Sequence, residues 1–384
     1  MDQQTINADG PSRAPAVPRG VDYAAFGMEL FRRLGHAAPE GNVVVSPLSA
    51  GLALGMLANG TTGDTLAEIE QTLATGLRLD ALNAANAALA AALENDEVEL
   101  ALANSLWARA PLLPAFVEGV RRSYGAEAAA LGTAGPVNEW VSRSTGGRIK
   151  EMMRDPINPL VILCLLNAVY FKGRWKEEFS AAATRPGTFH APSGPVERPM
   201  MSRTGRCGYL RGGGFQAVRL PYRGDRIAMY VLLPDHQQGL TGLREMLAVE
   251  AWRGWMAEFR TQEVRVAMPR YRLNGMSSLK EPLAVMGMKR AFAAGRAELD
   301  AMLPAKYVAA EEPYVSAVLQ KVFIEVNEEG TEAAAVTLVE VKTRGGPPRT
   351  REFTVDRPFI FAIRDDTTGA LLFIGQVNDP VTEG

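Results

Sequence analysis

Apolar residues in the first third of the chain recur mainly at helical spacing. Residues 23–34, YAAFGMELFRRL, carry them on one face of a helix, which predicts an amphipathic α-helix. Three valines at 43–45 predict a short strand, and Ser46 before a proline marks the start of the next helix. Residues 47–60 are apolar on nearly all sides, which is typical of a helix inside the core. The Ala/Leu/Asn-rich stretch 81–95 is also predicted to be helical.

The rest of the chain is patterned mostly as strands. Residues 98–109 read as a strand, residues 137–153 as a helix interrupted at two glycines, and residues 160–171 as a strand buried on both faces. Further strands are predicted at 215–222, 226–234, 263–273, 321–329, 357–365 and 370–380. Helices followed by strands, without regular alternation, predict an α+β fold. We expect residues 1–20 to be a flexible tail and residues 21–384 to be one domain.

Composition narrows the possible partners. The 384 residues are 47% hydrophobic and 22% charged, with a formal net charge of −2 and a pI near 6.1. Such a balance gives no bulk electrostatic attraction to nucleic acid or to a membrane surface, so neither partner is expected. The longest apolar run, Leu160 to Leu166, is too short to span a bilayer. Two cysteines, Cys164 and Cys207, are too few for a disulfide framework and are expected to be free.

The compartment stays open. The first twenty residues are polar and rich in proline and glycine, without the apolar segment of a signal peptide. A chain whose signal peptide had been removed would look the same. It would then be extracellular or on the cell surface, and otherwise cytoplasmic.

Enzyme chemistry has little support in this sequence. The three histidines lack a second histidine or cysteine at metal-ligand spacing, so no metal and no cofactor is expected. The nearest catalytic pattern is Ser277-Ser278-Leu279-Lys280, an S-x-x-K that would place a serine and a lysine one helical turn apart. The companion motifs of acyl-transferring enzymes are missing, and we expect no catalytic residue.

The stretch 328–353, EEGTEAAAVTLVEVKTRGGPPRTREF, is too long for an ordinary connection between two strands. At period two from Thr331, one set of residues carries no charge, and the other contains both Glu332 and Glu340. This pattern predicts a segment that can exist as a loop or as a strand with one buried face of small residues. Gly330 supplies conformational freedom where the segment begins.

The second half of this stretch is basic and contains two prolines that keep it extended. Arg344 precedes Gly345-Gly346, where nothing bulky shields the peptide bond. A trypsin-like protease reads such a long cationic side chain through an acidic group in its pocket. The alternative is a solvated basic loop that is simply sensitive to proteases.

Five blocks together resemble one family. NEEGTEAAAVT is similar to the hinge of serpins, a family of serine-protease inhibitors, and RPFIFAIRDDTTGALLFIGQVNDP to their C-terminal signature. NVVVSPLSAGLALGML, LLNAVYFKGRWKEEF and LPYRGDRIAMYVLLP resemble three further blocks in the right order. The resemblance covers the whole chain after the tail. It implies a serpin fold, with three β-sheets surrounded by about eight or nine helices and an exposed reactive-centre loop at about 328–353.

The resemblance also implies roles for residues of the loop. Residue 344 lies sixteen positions after Glu328, which makes Arg344-Gly345 the scissile bond, with Lys342 and Arg349 as the nearest competitors. The implied hinge residues are Glu328, Gly330, Thr331, Glu332, Ala333, Ala334, Ala335, Val336 and Thr337.

A second group corresponds to the region where the main sheet of serpins opens. Ser46, Ser49 and Asn167 would hold the central strands together by hydrogen bonds until the loop inserts. Gln320 stands where many members have a histidine, and an amide lacks the titrating proton of an imidazole. The remaining implied residues are Trp175 at the top of the sheet and Arg270, which matches an ion-pair partner of Glu328.

The function implied is inhibition rather than catalysis. A trypsin-like serine protease would cleave at Arg344, form an acyl-enzyme and be carried along as the loop inserts into the main sheet. The alternative is a non-inhibitory serpin that acts as a protease substrate or as a binding protein. A monomer is expected, with loop–sheet polymers forming on heating.

Overall fold

The structure is a computed structural model that describes residues 21–237, 239–331 and 350–381, with only the backbone at Thr331. In these ranges it has ten α-helices and two 3₁₀ helices, Ala181–Ala183 and Arg290–Phe292. The α-helices are α1 Ala24–Ala37, α2 Pro47–Ala58, α3 Gly63–Leu73, α4 Leu79–Leu93, α5 Pro114–Tyr124, α6 Ala134–Ser144, α7 Gly239–Met246, α8 Val249–Glu258, α9 Lys280–Met286 and α10 Ala305–Glu311. None of these helices is long and apolar enough to cross a membrane. The expected tail, residues 1–20, lies outside the described ranges.

The strands of the described residues form two hydrogen-bonded sheets. They are β1 Val43–Val45, β2 Val98–Ala108, β3 Glu127–Ala130, β4 Leu163–Arg174, β5 Arg185–Ala191, β6 Gly194–Gly212, β7 Phe215–Pro221, β8 Ile227–Pro234, β9 Arg260–Pro269, β10 Tyr271–Ser278, β11 Val315–Val326, β12 Gly330–Thr331, β13 Arg351–Thr354, β14 Phe359–Asp365 and β15 Leu371–Val377. The six-stranded sheet has the order β10-β11-β4-β2-β3, with β12 paired to β4. The nine-stranded sheet has the order β1-β15-β14-β8-β7-β6-β9-β13, with β5 paired to β6.

The long strand β6 is shared by two groups of strands in the nine-stranded sheet. Its middle, from Met200 to Tyr209, pairs with β9, and its end, from Gly208 to Gly212, pairs with β7. Counted apart, these two groups and the six-stranded sheet make three sheets in the described ranges. Two of the ten described α-helices, α9 and α10, have only seven residues, and the other eight agree with the implied number.

Helix α2 shows why the sequence starts a helix at this point. The side chain of Ser46 accepts a hydrogen bond from the backbone N–H of Ser49, and Pro47 occupies the first helical position, where its missing N–H costs nothing. Nearly every residue of α2 is buried, so the helix lies in the core between the two sheets. Close packing extends to α1, where a Cβ at Gly27 would lie 2.2 Å from the ring of Pro47.

Several expected elements begin or end elsewhere: β11 begins at Val315 and not at residue 321, and the strand expected at 263–273 is divided between β9 and β10. Strand β4 starts at Leu163 instead of residue 160, and Leu160 is 72% exposed although it opens an apolar run. Helix α6 ends at Ser144 because Gly146 and Gly147 both have positive φ, so residues 148–153 are not helical. A run of apolar letters does not itself define which residues enter a sheet.

Strand β4 lies at the centre of the six-stranded sheet, with a core on each face. Its odd-numbered residues, such as Leu165 and Val169, belong to the main core, while Leu166 and Ala168 face a smaller core under α6. Both cysteines are free and buried, as expected, and burial raises the pKa of the Cys164 thiol to about 12.

Candidate functional site

The central seam of the six-stranded sheet is the direct pairing of β4 with β11. The two strands run parallel, and their register extends from Val315 opposite Leu163 to Phe323 opposite Tyr170. No strand lies between them over these residues. A segment that inserts here has to break this ladder first.

The first residues of the long loop already lie at the upper end of this seam. In β12, Gly330 pairs with Arg174 and Thr331 with Gly173, antiparallel to β4. Gly330 has φ of 142°, and a Cβ there would lie 2.1 Å from the carbonyl oxygen of Gly173. Only glycine can therefore bring the chain this close to β4.

A buried polar cluster crosses the seam below this point. The amide nitrogen of Gln320 on β11 donates to Asn167 Oδ1 on β4 (2.5 Å) and to the Ser46 carbonyl (3.1 Å), while its oxygen accepts from the Ser46 N–H (2.8 Å). Asn167 Nδ2 donates to Ser49 Oγ and to Asn104 Oδ1. Gln320 is 1% exposed. The cluster thus joins β11, β4, β2 and the start of α2.

We expect Gln320→Ala to lower the stability of the closed sheet by about 2–4 kcal/mol, because it leaves buried partners on Ser46 and Asn167 unsatisfied. The midpoint of heat-induced loss of the native state, at a fixed scan rate, measures this. Ser277→Ala is the matched control, since Ser277 lies opposite Gln320 on β10 but has no described side-chain bond into the cluster. An unchanged midpoint for Gln320→Ala would show that the cluster does not hold the seam.

Trp175 lies directly beside the start of the loop. Its indole N–H donates to the carbonyl of Asn327 (3.0 Å), its backbone N–H donates to the carbonyl of Glu329 (2.9 Å), and its ring stacks on Tyr222 at a centroid distance of 4.6 Å. The side chain is buried. Trp175 therefore anchors the turn from which β12 departs.

Glu328 is held on three sides at the base of the loop. Arg270 Nε lies 2.7 Å from Glu328 Oε1, close enough for an ion pair, although the N–H does not point along a hydrogen bond. Thr184 Oγ1 donates to the same carboxylate oxygen, and the Phe179 N–H donates to the Glu328 carbonyl (2.7 Å). The ion pair with Arg270 matches the sequence expectation as a contact, while its role stays a prediction.

Glu329 is the unfavourably placed carboxylate of this region. One of its oxygens is buried without a hydrogen-bond partner among the described residues. Burial and the neighbouring Glu178 raise the pKa of Glu329 above its ordinary 4.5; Arg174 opposes this and Glu328 adds to it. Because the pKa is raised, the folded state binds this proton more tightly than the unfolded state does. The resulting contribution to the free energy of unfolding is fully present below pH 4.5 and is lost as the pH rises through the raised pKa.

Glu329→Gln is therefore expected to raise the thermal midpoint at pH 7 and to have little effect at pH 4. Parallel melts at the two pH values measure this difference. The exposed Asp300→Asn is a control for the loss of one negative charge. If Glu329→Gln raised the midpoint equally at both pH values, its ionisation would not be the cause.

Other expected loop residues lie outside the described ranges. These are Glu332, Ala333, Ala334, Ala335, Val336, Thr337, Lys342, Arg344, Gly345 and Arg349, and the side chain of Thr331 is not described either. Their roles remain predictions.

Sequence reasoning missed Asn104, Thr184 and Tyr222. The sequence could have indicated Asn104, because it is an asparagine in the strand-like stretch 98–109 and a polar amide in a buried strand needs a hydrogen-bond partner. Nothing in the sequence indicates the contacts of Thr184 and Tyr222, which depend on where distant segments meet.

The S-x-x-K pattern does not form a catalytic pair. Ser277 belongs to strand β10, so it and Lys280 are not one helical turn apart. Lys280 Nζ donates to the carbonyl of Ser316. No group of three or more His, Cys, Asp or Glu side chains suited to a metal occurs within the described ranges.

A family model described as serpin (serine protease inhibitor) matches residues 22–380. The chain belongs to the serpin family. It is 35% identical to Iripin-2 of Ixodes ricinus over 92% of this chain and 91% of that protein, and 34% identical to the leukocyte elastase inhibitor of Sus scrofa over 92% and 97%. Membership of this family supports protease inhibition as the general activity of this chain.

The fold is similar to that of solved serpins. The crystal structure of tengpin, a thermophilic serpin in the native state, superposes with a TM-score of 0.86 at 26% identity, covering 99% of this chain and 97% of that one. The α+β serpin fold implied by the sequence is thereby confirmed. In the part of the chain that the structure describes, β4 and β11 pair directly, and we call this arrangement the closed sheet.

Proposed function

We propose that this serpin inhibits a trypsin-like serine protease by suicide inhibition. The protease attacks the carbonyl of Arg344, forms an acyl-enzyme, and is displaced as the freed loop inserts between β4 and β11. The observation that carries the proposal is β12, because its antiparallel pairing with β4 begins the strand that insertion would complete.

The register of β12 defines where the inserted strand would lie. Gly330 is opposite Arg174, so extending the pairing residue by residue places residue 341 opposite Leu163, the first residue of β4. The segment 331–341 would thus match β4 down to its start. Arg344 would emerge just beyond that end, roughly 40 Å from Thr331 at about 3.3 Å per residue.

If the same register continued along the loop, the uncharged side of the inserted strand would face the core. Residues directly opposite each other in an antiparallel pair share a face. Ala333 would therefore lie beside Phe171, and Ala335 beside Val169. Phe171 and Val169 both belong to the main core. Glu332 would lie opposite Lys172, which is half-buried. Burying only small and uncharged side chains on the core face avoids the cost of desolvating a charge.

Thr337 would come to the centre of the seam. If the register of β12 continued, Thr337 would lie opposite Asn167, whose present partner across the seam is Gln320 on β11. The hydroxyl of Thr337 can donate and accept, so it can replace the hydrogen bond from Gln320 to Asn167 that insertion breaks. The polar cluster would then be satisfied in the open sheet as well as in the closed one.

Insertion of the loop would release enough free energy to distort a protease. A strand of eleven residues that bonds on both sides gains more hydrogen bonds than the β4–β11 ladder loses. At about 1 kcal/mol for each additional bond, the gain is on the order of 10 kcal/mol. A typical domain is stable by about 5–15 kcal/mol, so the tethered protease can be pulled out of its active shape. The closed sheet is then a kinetically trapped state.

Mixing the serpin with trypsin tests this function. A covalent serpin–trypsin complex that survives SDS is the expected result, and it should be absent when the trypsin active-site serine is blocked beforehand. Cleavage at Arg344 without a complex would overturn inhibition and support the second candidate, a non-inhibitory serpin that serves as a substrate or a binding protein. The lack of charge or proline on the core-facing set of the hinge favours the inhibitory form.

A further inference from the structure

Strand β10 forms one edge of the six-stranded sheet, and no strand of the described ranges pairs with its outer side. The N–H of Arg272 donates to the carbonyl of Val381, away from β11, whereas the N–H of Leu279, just after the strand, donates back to β11. Alternate residues of an antiparallel strand bond to opposite sides. The backbone N–H and C=O groups of Asn274 and Met276 therefore point outward, away from β11.

This edge lacks the features that usually prevent a further strand from pairing. Residues 273–278 contain no charged residue and no proline, and their pairing with β11 has no bulge. Among the described residues, no group bonds to the outward N–H or C=O of Asn274 or Met276. Both side chains are exposed, that of Met276 to 54%. The edge can therefore form four backbone hydrogen bonds with an extended segment.

A hollow of about 280 Å³ lies beside the middle of this edge. Its walls include Asn42 and Val44 at the start of β1, and Leu273 and Ser277 on β10. Gly275 lies between these last two residues, and a Cβ there would have no atom within 4 Å. Because Gly275 has no side chain, the sheet face that carries Leu273 stays open at this point.

We propose that β10 binds an extended peptide as an added antiparallel strand, with one aliphatic side chain of the peptide in the hollow at Gly275. Directly opposite residues of an antiparallel pair share a face, so the peptide residue opposite Gly275 points into the hollow. Its two neighbours form main-chain hydrogen bonds with Asn274 and Met276. In this kind of recognition the backbone bonds supply affinity, and the hollow supplies selectivity.

The surroundings of the edge define the class of peptide. The nearest charged residue of the strand, Arg272, is already paired with Glu325 (2.8 Å), so a charged peptide side chain would lose water without gaining a partner. An aliphatic side chain gains from burial against Val44 and Leu273. The chain's own residues 382–384 are threonine, glutamate and glycine, and none of them supplies such a side chain. We therefore assign the site to an external peptide.

The site is separate from the proposed insertion of the loop. Strand β10 lies on the side of β11 that faces away from β4, and none of the residues that line the hollow belongs to the loop. Binding at this edge therefore requires neither cleavage by a protease nor opening of the sheet. The proposal goes beyond protease inhibition and can fail or succeed independently of it.

A fluorescein-labelled peptide, Ser-Thr-Leu-Thr-Ser, tests the site by fluorescence anisotropy with the full-length protein. It is expected to bind at least about tenfold more tightly than the same peptide with alanine or aspartate in place of leucine, because the leucine is buried in the hollow. Methylating the backbone nitrogens of the two threonines should abolish binding, since these N–H groups donate to the carbonyls of Asn274 and Met276. Equal binding of all four peptides would overturn the proposal.

Two variants locate the bound peptide. Met276→Pro removes an outward N–H without removing a bond to β11, and Gly275→Leu fills the hollow with the protein's own side chain. Each should weaken binding of the leucine peptide at least about tenfold, whereas the control Met276→Ala keeps the N–H and should change it by less than about threefold. Unchanged binding to either Met276→Pro or Gly275→Leu would place the peptide elsewhere, for example in the seam between β4 and β11, and would overturn the site.

Two further measurements separate the external peptide from other occupants. The full chain and a variant that ends at Val381 should bind the leucine peptide alike. Binding only after residues 382–384 are removed would make the chain's own end the occupant and overturn the proposal. Sedimentation of the full chain should show no dimer that depends on this edge. A dimer that Met276→Pro converts to a monomer would make a second copy the occupant instead.

Discussion

Thr331→Arg is expected to turn this inhibitor into a substrate, with little or no SDS-resistant complex and nearly complete cleavage at Arg344. Thr331 is opposite Gly173 in β12, and in the proposed inserted strand this register would turn position 331 toward the main core. An arginine there has to lose its water without gaining a partner, which costs several kcal/mol. Insertion is then slower than deacylation, and the protease escapes. The ratio of complex to cleaved serpin on a gel measures the partition.

Glu332→Arg is the matched control. It introduces the same side chain one residue later. After insertion this arginine would be the cross-strand neighbour of Lys172, on the face of the sheet away from the main core. The expected cost is that of a like-charge pair, at most about 1 kcal/mol. Most of the inhibitory complex should persist in this variant. Equal loss of complex in both variants would mean that any arginine at the hinge interferes, and that the deduced face is wrong.

Arg344→Ala is expected to slow complex formation with trypsin by about 10⁴-fold. The pocket of a trypsin-like protease has a buried acidic group, and a side chain that leaves it unpaired is rejected by factors of this size. Residual cleavage is expected at Lys342 or Arg349, without efficient trapping. The association rate measured with excess inhibitor reports the change.

Arg349→Ala controls for charge on the loop, because it removes the same positive charge five residues beyond Arg344. Its rate with trypsin should stay within about twofold of the parent, since an exposed charge contributes little. A large loss of association rate for Arg349→Ala, with little change for Arg344→Ala, would show that the scissile bond follows Arg349 and not Arg344.

Much of the fold could be predicted from local patterns. The serine cap and proline before α2 act within one helical turn, and the start of that helix is where the sequence predicts it. The start of β4 was harder, because Leu160 and Leu163 look alike in the sequence and differ only in whether another segment covers them. Burial is a tertiary property, so hydrophobicity alone misplaced the start of this strand.

The site shows the same division. The set of uncharged residues from Thr331 is a sequence property, and it indicates a strand held outside the sheet. The pairing of Gly330 with Arg174 is not, because register depends on how the turn at Asn327 is held by Trp175. Without that pairing, there would be no basis for proposing that Thr337 lies opposite Asn167 after insertion.

The intact mass of the reaction product with trypsin tests the central claim most directly. Insertion after acylation predicts a species whose covalent mass equals trypsin plus residues 1–344 of the serpin, less one water, with residues 345–384 released as a peptide under denaturing conditions. A product made only of free trypsin and serpin cleaved after Arg344 would contradict the proposed trapping.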